Sequence, residues 1–211
     1  MENRQLRALA RGQLNGNWIK CVLALLVYLA IAMIIVAIPI LGIIASIVLS
    51  GPFLFGLTSY ALRIKRGETP SIESLFDGFK NFLTSFLLYL LISIFTFLWS
   101  LLLIIPGIIA SLSYSMAFFI LHDNPHLSAM EALNESKQMM KGYKGKLFLL
   151  YLSFIGWILL AALTFGIGYL WLYPYMGVSF ANFYDDLKGN HLHENPTSKK
   201  EEPLFRENPS I

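Results

Sequence analysis

From Leu87 to Leu121 the chain is apolar and contains no Asp, Glu, Lys, Arg or His; only Pro106-Gly107 interrupts the run. At about 1.5 Å per helical residue the run is too long for one pass through a ~30 Å hydrocarbon layer. A Pro followed by Gly is where a helix stops and turns back, so the pattern predicts a helical hairpin. Comparable apolar runs stand on either side, and together they predict spans at about 18–38, 40–62, 82–105, 108–121, 147–165 and 167–183. The turns fall at Pro39, at Pro106-Gly107 and at Gly166-Ile167-Gly168. The segment 108–121 is about 21 Å long as a helix, short for a perpendicular crossing, which leaves a full span and a re-entrant hairpin both open.

Between the runs lie short amphipathic stretches. In residues 2–16, Arg4, Arg7 and Arg11 fall on one helical face, roughly opposite Leu6 and Leu9. That face either meets anionic headgroups or simply fixes orientation. Ile72, Leu75, Phe76 and Phe79 recur at helical spacing after Thr69-Pro70-Ser71, predicting a surface helix over 70–81. Ser128 followed by Glu131 is a capping box that opens a second one over 128–142, with Ala129, Ala132, Leu133, Ser136 and Met140 as its small or apolar stripe. From residue 185 to 211 the chain is polar, with Pro196, Pro203 and Pro209, and is expected to be disordered.

The order of features repeats three times: a basic or amphipathic surface segment, a span, a Pro/Gly turn and a second span. Leu26-Val27-Tyr28-Leu29, Leu87-Leu88-Tyr89-Leu90 and Leu149-Leu150-Tyr151-Leu152 occupy matching places. The expected fold is an all-α polytopic membrane protein of about six transmembrane helices in three hairpins, preceded by an amphipathic helix over 1–17, with a membrane domain over 18–184.

Composition agrees: 56% of the 211 residues are hydrophobic and 14% charged, too few charges to cover a water-facing domain of this size. The charge of +3 is small, but its placement is informative. All 16 Lys and Arg lie in 1–20, 63–80, 137–146 and 188–206, the 13 acidic residues lie in or beside these regions, and the turns carry none. Because Lys and Arg are retained on the cytoplasmic side, both termini and both long loops are expected to be cytoplasmic in a multi-pass cell-membrane protein. The Arg-flanked first run is longer than a cleaved signal core and reads as a retained anchor.

Candidate chemistry is sparse. No carboxylate, His, Lys or Arg sits at membrane depth, which argues against ion-coupled pumping. No acid, base, nucleophile or metal set converges, so the chain is expected to be no enzyme, with no catalytic residues, cofactor or metal, and nothing points to nucleic acid. The candidate surface for anionic lipid or a membrane-protein partner is Arg4, Arg7, Arg11, Arg63, Lys65, Arg66, Lys137, Lys141, Lys144 and Lys146. Pro39, Gly51, Pro52, Pro106, Gly107, Gly166, Gly168 and Pro174 are candidate hinges or turns. Ser50, Thr58 and Ser59 could re-satisfy the carbonyl that Pro52 frees. A passive path for a small or amphipathic solute between the kinked second and sixth segments is the alternative.

Several blocks, taken together, carry a resemblance: Phe79-Lys80-Asn81-Phe82, Leu98-Trp99-Ser100-Leu101, Ile104-Ile105-Pro106-Gly107-Ile108, Asp123-Asn124-Pro125, Ser136 to Gly142, and Phe154-Ile155-Gly156-Trp157 through Tyr173-Pro174-Tyr175 to Phe183-Tyr184-Asp185-Asp186-Leu187. Residues 1–188 resemble a bacterial integral-membrane family known only as domain of unknown function 975. Its layout is similar to the membrane portion of some glycerophosphodiester phosphodiesterases, without their catalytic domain. The resemblance implies a multi-pass cell-membrane protein, mostly of Gram-positive bacteria, and supplies no site residues.

Overall fold

The computed structural model describes residues 1–37 and 41–194, so the expected turn at Pro39 and residues 195–211 of the expected tail lie outside the described residues. Among the described residues all regular structure is helical. In chain order the helices are α1 (Asn3–Leu14), α2 (Trp18–Val36), α3 (Leu41–Lys65), a 3₁₀ segment (Ile72–Phe76), α4 (Asp77–Lys80), α5 (Phe82–Leu102) and α6 (Ile104–Tyr114). Then follow α7 (Ala117–Asp123), α8 (Ala129–Met139), α9 (Lys144–Leu152), α10 (Ile155–Leu163) and α11 (Tyr169–Glu194).

Five stretches are long and apolar enough to cross a membrane: Trp18–Ile35, Ile44–Lys65, Phe82–Leu102, Ile104–Asp123 and Lys144–Leu163. The expected sixth, over 167–183, is not among them. α11 is long, but its Tyr, Ser and Asn residues and Asp185-Asp186 lower its hydropathy, and it continues as helix through Glu194 where a disordered tail was expected to have begun. Leu101, Ile104 and Leu163 are 74%, 77% and 78% exposed. Water does not tolerate an outer surface of this kind, and the apolar helices suggest a membrane location. Half of the second stretch and 61% of the fourth are buried, against 17%, 11% and 22% for the first, third and fifth. α3 and α6–α7 are therefore central, and α11 packs among them with Val178, Ala181 and Phe183 fully buried.

The Pro106-Gly107 turn lies earlier than expected. α5 ends at Leu102, Leu103 is extended, and Pro106 and Gly107 form the first turn of α6. A proline is tolerated there because the first helical N–H groups have no intrahelical partner. Gly107 lets α6 close on α5: a Cβ would meet the Ser100 hydroxyl and lie 2.9 Å from Ser100 Cα. Starting before Pro106 also removes the shortfall in the fourth stretch, which reaches Asp123 through α7.

A break between α6 and α7 at Ser115-Met116 has a specific partner. Ser136 of α8, fully buried, donates its hydroxyl to the Ser113 carbonyl at 2.9 Å and accepts from the Met116 N–H at 3.2 Å. Ser128 and Glu131 cap α8 reciprocally, and Ala129, Ala132, Leu133, Ser136 and Met140 are all buried, so the stripe of this segment faces protein. Ser136→Ala leaves a buried donor and acceptor unpaired, at a cost of about 1–3 kcal/mol. We expect a lower melting midpoint in detergent for Ser136→Ala and near wild-type stability for the exposed neighbour variant Gln138→Ala.

The 70–81 segment is not one helix but a 3₁₀ segment followed by the single turn α4, pressed against α3. A Cβ on Gly56 would overlap the Leu75 carbonyl, and one on Gly78 would overlap the Pro52 carbonyl. Pro52 thus marks a packing contact. None of the three expected hydroxyls reaches the Val48 carbonyl that Pro52 frees: Ser50 donates to Ser46, Thr58 to Leu54 and Ser59 to Asp77. The fifth apolar stretch is also divided, at Ser153-Phe154, where Arg7 donates to the Ser153 carbonyl and Phe154 is fully buried. Of the two expected turns within the described residues, the last keeps its place, with Phe165 and Gly166 at φ of 52° and 89°.

Candidate functional site

Charged residues at the ends of α3, α7 and α9 meet α4, the Met1 amine and Asp185-Asp186 of α11 through ion pairs. Asp123, at the end of α7 and 7% exposed, accepts from Arg66 at 2.8 Å, Lys188 at 2.7 Å and the Tyr184 hydroxyl at 3.1 Å. Asp185 pairs with Lys65 and lies 3.6 Å from Arg66. Asp186 takes Lys146 at 3.0 Å and the Met1 amine at 2.9 Å. Asp77 takes Arg63 and Lys80, each at 2.8 Å, and the Ser59 hydroxyl at 3.0 Å. Burial alone would raise the Asp77 and Asp186 carboxyls; hydrogen bonds from Lys80 and Ser59 in the first case, and from the Met1 amine and Lys146 in the second, outweigh it and hold both below the usual carboxylate range.

The ten candidate surface cations therefore divide. Arg63, Lys65, Arg66 and Lys146 are engaged in ion pairs: Arg63 joins α3 to α4, Lys65 joins α3 to α11, Arg66 joins α3 to α7 and α11, and Lys146 joins α9 to α11. Arg7 lies 6.0 Å from the Phe154 ring centre and donates to Ser153. Arg4, Arg11, Lys137 and Lys141 are exposed and Lys144 is half-buried, and none of these five has an acidic partner among the described residues. The apolar side of α1 is covered by protein: Leu6, Ala10 and Leu14 are fully buried, while Leu9 is 43% exposed. Gln13 and Asn182 exchange hydrogen bonds at 2.7 and 3.2 Å, tying α1 to α11.

Residue-by-residue reading of the sequence missed the four aspartates and Gln13. The available signal was the mixing of acidic with basic residues in the same segments, with Asn182 as a polar group inside an apolar run.

Two cavities accompany the charged end. The first, of about 440 Å³, lies between α2, α3, α6–α7 and α11; its wall includes Thr58, Tyr60, Tyr151, Tyr173 and Pro174 and, among the described residues, none that is charged. Of the candidate hinges among the described residues, only Pro174 lines it. Gly51 lies instead against Ser85 and Phe86, Gly107 against Ser100, and Gly168 against Ala161. The second cavity, of about 370 Å³, is bounded by Arg11 of α1, by Trp18, Trp157 and Trp171, and by Thr164 and Gly168 at the α10–α11 turn.

No curated protein and no solved structure matches the chain. The sequence model of one family, described as a protein of unknown function (DUF975), matches residues 1–109 and again residues 100–191. These two matches cover the described helices from α1 almost to the end of α11, and the chain belongs to this family of unknown function.

Proposed function

We propose that this protein is a non-enzymatic, multi-pass cell-membrane protein whose charged end faces the cytoplasm and acts as a scaffold or accessory factor, engaging anionic lipid or a partner protein. The six crossings are read as three hairpins, with α11 as the sixth. The observation that carries the reading is the segregation of charge: the aspartates hold the inner cations, while Arg4, Arg11, Lys137 and Lys141 stand outward without acidic partners among the described residues. Positive residues retained on the cytoplasmic side support the orientation, and each free cation near an anionic surface adds about 1 kcal/mol of attraction.

The test is extraction with the surrounding bilayer in native nanodiscs, followed by mass spectrometry of co-purifying lipids and proteins against an unrelated six-span protein. Enrichment of anionic lipid or a stoichiometric partner is expected, falling severalfold when Arg4, Arg11, Lys137 and Lys141 are changed together to Gln. Unaltered association in that variant would overturn the reading. The uncharged 440 Å³ cavity, with Pro174 in its wall, favours a second reading as a passive transporter or channel for a small or amphipathic solute. Solute flux from liposomes that falls with Pro174→Ala would support it.

A further inference from the structure

The second cavity combines two features that a phospholipid needs. Its wall is aromatic and aliphatic over most of its extent, with Trp157, Leu160 and Trp171 beside Leu172 and Tyr175, and its one charged residue among those described is Arg11. Arg11 is exposed and has no acidic partner among the described residues. Arg7, one turn before it on α1, has a buried Nε with no hydrogen-bond partner. A guanidinium presents a planar fork of donors suited to phosphate, and Trp favours the boundary between headgroups and chains. A volume of about 370 Å³ falls in the ~300–1,000 Å³ range of small-molecule sites.

We infer that this cavity is a site for one anionic phospholipid of the surrounding bilayer, its phosphate on Arg11 and an acyl chain along Trp157 and Trp171. A free inorganic anion would leave the aromatic wall without an occupant, and a zwitterionic lipid would bring a second, repelled charge to Arg11. The inference deepens the lipid half of the proposed function and rests on it.

Three of the four tryptophans in the chain line the cavity, so Trp99→Phe leaves an emission that reports on it alone. The full-length Trp99→Phe protein in phosphatidylcholine vesicles is titrated with dibrominated phosphatidylglycerol or, at equal mole fraction, dibrominated phosphatidylcholine. The anionic quencher is expected to be at least twofold more effective. Arg11→Gln should bring the ratio to one and Arg11→Lys should retain most of it. Because Arg11 is exposed and unpaired, these variants are expected to keep the wild-type elution profile and melting midpoint. Lys80→Gln, on α4, which removes an exposed cation outside the proposed lipid surface, should leave the ratio unchanged. Equal quenching by the two lipids, or a preference that survives Arg11→Gln, would overturn the site. A fall of the same size with Lys80→Gln would assign the preference to diffuse surface charge, overturning the site but not the broader function. Loss of the preference on adding millimolar inorganic phosphate would make the ligand a free anion and also overturn it.

Discussion

Gly56→Ala is expected to lower the melting midpoint of the purified protein in detergent by roughly 6–12 °C, corresponding to a cost on the order of 3 kcal/mol. A methyl group at this position of α3 would overlap the Leu75 carbonyl and sit 2.9 Å from Leu75 Cα. The obstacle is backbone, so no rotamer change relieves it. Nor can the 3₁₀ segment simply retreat. Leu75 is 2% exposed, Gly78 lies directly against the Pro52 backbone, and a Cβ added to Gly51 would lie 2.8 Å from Phe86 Cα and closer still to the Ser85 carbonyl. Three glycines on two facing segments thus bring backbones closer than any side chain allows, the usual role of small residues where helices associate in an apolar solvent. Gly12→Ala is the control. A Cβ there has nothing within 4 Å, and replacing Gly in the body of α1 should add about 0.5–1 kcal/mol of stability. Equal shifts of the same sign in the two variants, measured by fluorescence-detected melting, would sink the packing explanation.

Asp123→Asn is expected to cost about 2–3 kcal/mol, measured by the same melting experiment. Removing one member of a fully buried ion pair costs ~3–5 kcal/mol because the remaining charge is stranded. Here the figure is discounted, since Arg66 and Lys188 keep 33% and 44% of their side-chain surface. Arg66 also retains Asp185 at 3.6 Å. Lys188→Met should cost under about 1 kcal/mol, as expected of a part-exposed partner. Adding it to Asp123→Asn should cost less than the sum, because both changes remove one interaction. Additive losses would show that Asp123 does not join α7 to α11 through this network. Increased proteolysis within residues 185–194 of Asp123→Asn would locate the loosened end.

Much of this architecture was legible because it is one-dimensional. The apolar character of five runs, the Ser128–Glu131 cap and the stripe from Ala129 to Met140 all depend on residues within a few turns of one another. The Gly166 turn was legible for the same reason. Other features depended on remote partners. Pro106-Gly107 was read as a turn because Pro and Gly break helices, yet the first turn of a helix accepts both, and the fit of Gly107 to Ser100 places it there. The break at Ser115-Met116 carries no Pro or Gly; its signal is Ser136, twenty residues from Met116. The division at Ser153-Phe154 likewise depends on Arg7.

The candidate site was legible to the same extent. Placement of ionised groups at the ends of the apolar runs follows from the positions of Lys, Arg, Asp and Glu between those runs, since an apolar solvent keeps ionised groups at its boundary. Which cations remain available does not follow. Lys188 and Asp123 are 65 residues apart, and Lys146 and Asp186 are 40; only folding brings them within hydrogen-bond distance. Arg63 and Arg11 have the same chemistry in the sequence, but one faces Asp77 and the other an aromatic cavity. Solvent preference acts on each residue alone and is written along the chain, whereas pairing and cavity shape require groups from different segments at one place, and the packing of α1, α3, α7, α9, α10 and α11 supplies that.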